Sequence, residues 1–231
     1  MYIPITTMSL LALCSSVVVA ERKLRGASAD DSRPEGTPVL KEEELQVDLA
    51  RELRRSENED ITIFYGVWGD WKDWTKGGDN KYACGAQLRF ENSQGGGDDT
   101  AANGLQLKFC DLHEWYDQYE RLVWGGSWGE WKDWKMCPDG KYMAGGRVRF
   151  EDPQGGGDDT ALNGLQIYCV KPDWSRGEKR TVYHGLWGGW KDWVYTKNKL
   201  VKGAQVRFED PQGGGDDTAL NGIRFKVQNP F

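Results

Sequence analysis

One motif occurs three times in this chain. WGDWKDW (68–74), WGEWKDW (128–134) and WGGWKDW (187–193) are each followed by an RFE segment and then by GGGDDTA. Self-similarity at a fixed period means that the fold is assembled from copies of one unit. It also constrains function, because a single-site enzyme would have to explain why its residues come in triplicate. The repeats are bounded at about 61–115, 116–175 and 176–231.

Within each repeat the apolar pattern has period two. AQLRFE, GRVRFE and AQVRFE put Leu88 and Phe90, Val148 and Phe150, Val206 and Phe208 on one face. The segments after the Asp-rich stretch do the same with Leu105, Leu107 and Phe109, then Leu165, Ile167 and Cys169, then Ile223, Phe225 and Val227. Such alternation predicts half-buried antiparallel strands. Three sheets around a pseudo-threefold axis, apolar faces inward, are the simplest closed arrangement. Asp111–Arg121 and Lys171–Arg180 read as charged connectors between units.

The first sixty residues are a different material. Residues 1–20 read as a secretory signal: the apolar stretch 8–19 is too short to span a bilayer and ends in small residues. No Lys or Arg precedes it, and the competing reading is a buried N-terminal strand. Residues 21–60 lack aromatics and carry −4 of the total charge of −6, which predicts a flexible leader with one marginal helix beginning near Thr37. The repeats are thus nearly neutral, without an electrostatic footprint for nucleic acid. The absence of a second long apolar run predicts no transmembrane segment.

With Cys14 in the signal, the exported chain keeps Cys84, Cys110, Cys137 and Cys169. An even count in an exported protein predicts two disulfides, although four cysteines allow three connectivities. Cys84–Cys110 and Cys137–Cys169 are the expected pairs, because each flanks one GGGDDT segment. Zinc is the alternative, weakened by the wide spacing and by the distance in sequence to His113 and His184.

The order Trp-Gly-x-Trp, Cys-Pro-Asp-Gly (137–140), RFEDPQG, GGDDTALNG and a strand ending in Cys resembles the vitelline membrane outer layer protein I family. The resemblance covers all three repeats and implies a β-prism of three four-stranded sheets. It hints at sugar-chain binding or chemistry. The chain departs from the pattern in its cysteines, which are absent from the third repeat.

GGGDDT lacks the Gly-Lys-Ser/Thr of a phosphate loop, and its copies are too far apart for tandem calcium repeats. Its carboxylates, Asp98, Asp99, Asp158, Asp159, Asp216 and Asp217, are read as turn residues, with Asn-Gly at 103–104, 163–164 and 221–222 completing the turn. The rival reading makes the paired carboxylates a glycosyl transferase or hydrolase site. Trp68, Trp71, Trp128, Trp131, Trp187 and Trp190 are candidate glycan or partner contacts, against the blander expectation that large aromatics fill the core. Lys72, Lys132 and Lys191 are expected to extend their heads to solvent.

Arg22, Lys23, Leu24 and Arg25, followed later by Glu42–Glu44, are similar to the R-x-L-R plus acidic delivery motif of secreted oomycete effectors. The combined expectation is an exported, all-β binding protein with no catalytic residues, metal or cofactor. Its leading version is a pathogen effector delivered into host cells to engage a host protein or glycan. The alternative is a glycan-binding component of an extracellular matrix or wall. The sequence leaves the oligomeric state open.

Overall fold

The computed structural model describes residues 58–92, 101–152, 162–210 and 219–231, all within the compact unit Ala50–Phe231. The signal, most of the leader with its R-x-L-R motif, and the six paired carboxylates of GGGDDT lie outside the described residues. The described residues form strands and no helix.

The first repeat supplies β1 (Asn58–Tyr65), β2 (Asp70–Trp71), β3 (Thr75–Lys76), β4 (Lys81–Phe90) and β5 (Ala102–Asp111). The second supplies β6 (Gln118–Gly125), β7 (Glu130–Trp131), β8 (Lys135–Met136), β9 (Tyr142–Phe150) and β10 (Leu162–Val170). The third supplies β11 (Glu178–His184), β12 (Gly189–Trp190), β13 (Val194–Tyr195), β14 (Leu200–Phe208) and β15 (Leu220–Gln228).

They make three antiparallel sheets, ordered β6-β5-β4-β7, β11-β10-β9-β12 and β1-β15-β14-β2, with β8, β13 and β3 adding to the same edges. The sheets are therefore out of phase with the sequence repeats. Each takes its two inner strands from one repeat and both flanks from the next, and the last sheet closes the ring by borrowing from the first repeat. β4, β9 and β14 meet one another at the centre, which makes the architecture a β-prism.

The core follows the period-two pattern. Leu88, Val148 and Val206 are fully buried, as are Leu105, Leu165 and Ile223, and Leu107, Ile167 and Phe225; Phe90, Phe150 and Phe208 are nearly so. Each such side chain contributes about 1.5–3 kcal/mol by leaving water. The tryptophans contradict the blander expectation: all twelve are described, and none belongs to the buried core. Branched aliphatics and phenylalanines fill the prism; Trp115 and Trp124 are half-buried and pack against it, and the motif indoles lie at its surface.

Two other expectations are corrected. The charged connectors are shorter than predicted, because Gln118–Arg121 and Glu178–Arg180 belong to β6 and β11. These outer strands show their charges to solvent and pair them, as in Lys108–Glu120 (2.9 Å) and Lys141–Glu178 (3.0 Å). Asn-Gly does not turn the chain: Asn103, Asn163 and Asn221 lie at the starts of β5, β10 and β15, 1% exposed. The glycine after each admits a neighbouring strand, since a Cβ on Gly164 would lie 2.7 Å from His184.

Cys84–Cys110 and Cys137–Cys169 are disulfides, which removes the zinc alternative. They are not equivalent. The first closes the β4–β5 hairpin, whereas the second ties the chain just after β8 to β10 and so joins two sheets. In the third repeat Lys202 occupies the position of Cys84. It is 9% exposed and donates to the Lys81 carbonyl (3.0 Å) with Tyr82 beneath it.

The tryptophan turns as a candidate binding site

Each repeat carries a Gly-x-Trp-Gly turn, at 66–69, 126–129 and 185–188. The first glycine donates its N–H to the carbonyl of the buried asparagine: Gly66 to Asn221 (2.6 Å), Gly126 to Asn103 (2.7 Å), Gly185 to Asn163 (2.7 Å). The last glycine has φ of 76° (Gly69), 77° (Gly129) or 75° (Gly188), the left-handed region that L side chains avoid. A Cβ there would meet backbone of Phe208, Phe90 or Phe150 at about 2.4–2.5 Å, so the Trp-Gly pair admits no other second residue.

The arginine of each RFE segment locks the turn. Arg207 donates from Nε to Gly69 O (2.7 Å), from Nη1 to Gly66 O (2.6 Å) and from Nη2 to Val67 O (2.9 Å). Arg149 binds Gly188 O (2.9 Å), Gly185 O (3.0 Å) and Leu186 O (2.7 Å) in the same way. Arg89 repeats the pattern on Gly129, Gly126 and Ser127. A planar fork with fixed donors suits three carbonyls of one tight turn. This explains why WG and RFE recur together although about 140 residues separate Arg207 from its turn.

The three turns face the same end of the prism. Gly66, Gly126 and Gly185 pack on the rings of Phe150, Phe208 and Phe90 of adjacent sheets. At their tips Trp68, Trp128 and Trp187 are 52%, 54% and 51% exposed. Val67 and Leu186 beside them are also exposed.

The second tryptophans, Trp71, Trp131 and Trp190, are half-buried. Arg224 covers Trp71 at 3.9 Å, Arg147 lies 5.0 Å from Trp190, and the Trp131 ring edge fills the space beside Gly104. Two of the six candidate contacts are thus covered by cations, while the first tryptophan of each repeat stands clear. The third, Trp74, Trp134 and Trp193, lie under Lys226, Lys108 and Lys179 at 4.6–4.8 Å.

The motif lysines do not reach freely to solvent. Lys72 lies over Trp124 and Phe208 and pairs with Asp210 (2.7 Å); Lys191 lies over Phe64 and Phe150 and pairs with Asp152 (2.6 Å). Lys132 sits over Tyr183 and reaches Asn92 (3.3 Å). Sequence reasoning also missed the role of the RFE arginines. The one signal available was their fixed place in every copy.

The sequence profile of the family described as Vitelline membrane outer layer protein I (VOMI) matches residues 62–125 and 118–231. The human protein named Vitelline membrane outer layer protein 1 homolog is 36% identical over 161 residues, 69% of this chain and 77% of that protein. The mouse protein of the same name is 32% identical over 161 residues, 69% and 78% of the two chains. Among solved structures, the artocarpin–mannopentose complex aligns with a TM-score of 0.48 at 10% identity, covering 74% of this chain and 98% of that one. The chain belongs to the vitelline membrane outer layer protein I family.

Proposed function

We propose that this protein is an exported glycan-binding component of an extracellular layer, acting through Trp68, Trp128 and Trp187 and working by binding rather than catalysis. The observation that carries the reading is the placement of three half-exposed indoles on turns that glycine and arginine hold rigid, outside a core whose buried residues include no tryptophan. An indole offers a flat apolar face and an N–H, which suits the apolar face and hydroxyl rim of a pyranose ring. Fixed turns reduce the ordering cost of binding. The family takes its name from the outer layer of a vitelline membrane, and two disulfides suit an oxidising compartment. Among the described residues no helix is long and apolar enough to cross a membrane.

The test is a glycan array, followed by calorimetry on the best neutral oligosaccharide, with chitotriose included. The triple variant W68A/W128A/W187A is expected to lose binding while its unfolding free energy stays within about 0.5 kcal/mol of the parent for each site. Undiminished binding by that variant refutes the site.

A second reading rests on Arg22, Lys23, Leu24 and Arg25: delivery into host cells as an effector, with a host protein or glycan as partner. Imaging the tagged protein in host tissue tests it, and retention wholly outside cells rejects it. Hydrolysis or transfer on chito-oligosaccharides, absent in Asp158→Asn, is the result that would favour catalysis.

A further inference from the structure

The seam between β3 and β6 holds a groove of about 460 Å³ lined by Trp74, Lys76, Tyr119, Glu120, Arg121 and Leu122. That is within the range of about 300–1,000 Å³ typical of small-molecule sites. Its walls are fixed. Thr75 Oγ1 donates to Leu122 O across the seam (3.1 Å), and the Gly78 N–H donates to the Tyr119 hydroxyl (2.7 Å). Arg121 lies over the Tyr119 ring at 5.4 Å, and that ring also stacks on Phe109.

The charges in the groove are unevenly satisfied. Glu120 is engaged by Lys108 (2.9 Å). Lys76 and Arg121 have no carboxylate partner among the described residues. Two cations thus face an opening whose acid is already neutralised, beside an indole.

The pseudo-threefold symmetry shows that the fold does not require them. Lys76 faces Gly203, and the residues in the same register in the other sheets are Met136 (on Gly85) and Tyr195 (on Gly145). Arg121 faces Leu107, and its counterparts are Arg180 (on Ile167) and Ile61 (on Phe225). Arg180 is consumed by Glu178 at 2.9 Å, and Ile61 carries no charge. Three equivalent seams fold with three different pairs, and one presents two cations without a carboxylate partner among the described residues.

We infer that the β3–β6 groove is a binding site for an acidic saccharide, with Lys76 and Arg121 holding its carboxylate or sulfate and Trp74 flanking a sugar ring. Arg supplies paired donors to a planar or tetrahedral anion, and Lys adds a point charge. The choice of a saccharide rests on the glycan reading above, but the site is separate from the three tryptophan turns. Uronates and sulfated sugars share the required chemistry.

Calorimetry on the full chain separates these points, using a galacturonate trimer, a sulfated heparin tetrasaccharide and neutral chitotriose. At least one acidic ligand is expected to bind, more weakly as salt rises. Lys76→Met with Arg121→Ile, substitutions borrowed from the other seams, is expected to weaken that binding at least about ten-fold. The variant W68A/W128A/W187A is expected to leave it within about two-fold, since those residues stand outside the groove. The inference is overturned if neither acidic ligand binds, if the charge variant binds as the parent does, or if citrate competes as well as the saccharides do. Chitotriose reports on the turns alone, so either reading can fail while the other stands.

Discussion

Arg149 concentrates the logic of the repeat in one side chain. Its guanidinium donates to three carbonyls of the 185–188 turn, those of Gly185, Leu186 and Gly188. Arg149→Lys keeps the charge but cannot present the fork, so a destabilisation of about 1.5–3 kcal/mol is expected. Urea unfolding followed by tryptophan fluorescence measures it. Tyr142 gives a second prediction at this scale. Its hydroxyl donates to Asp111 O (2.6 Å), and burial, with the Asp111 charge second, pushes its pKa up to about 12 from 10.0. The folded state thus favours the protonated phenol. The resulting stability is complete below pH 10 and is lost as the pH rises to about 12. Unfolding midpoints across that window should fall more steeply in the parent than in Tyr142→Phe.

Strands and bridges carry the next layer. Each disulfide closes a loop, with separations of 26 and 32 residues, for which chain entropy gives about 3.5 kcal/mol apiece. Replacing Cys137 and Cys169 by Thr and Val, their third-repeat counterparts, is expected to remove most of that without a cavity. Chemical denaturation of the variant against the parent is the check; an unchanged midpoint would show that the inter-sheet tie is redundant. The strands themselves were legible in the sequence, because Leu88, Phe90, Leu105, Leu107 and their counterparts alternate cleanly. The indoles were not, for a specific reason. WxxWxxW has a spacing that does not match the alternation of a strand, and the chain answers by breaking the edge strand into two-residue pieces such as β2 and β3. Gln87 and Gln205 side chains then bond the Lys132 and Lys72 carbonyls at the break. Asn-Gly misled for the opposite reason: in β5, β10 and β15 the pair serves close strand approach instead of reversal. The β3–β6 groove was invisible because Lys76 and Arg121 come from different repeats and meet only when sheets form.

At the scale of the molecule, the start of the first strand and the end of the last lie side by side, since Asn58 and Gln228 are register partners in β1 and β15. Joining them with a short flexible link and opening the chain between Ser175 and Arg176, in the exposed turn before β11, should preserve the fold with a stability change of about 1–2 kcal/mol. Deleting Asn58–Tyr65 should instead abolish cooperative unfolding, because β15 loses its neighbour. Circular dichroism melts of the two chains make the comparison.

The half-step offset between copies and sheets has a wider consequence. A fragment cut at the copy boundaries always carries both flanks of a sheet whose inner strands it lacks and misses both flanks of a sheet whose inner strands it holds, so it is completed only by a second molecule lending the missing pieces. Partial proteolysis or premature termination would therefore yield exchanged pairs or insoluble chains in place of smaller working versions. Shedding a copy means shedding the ring.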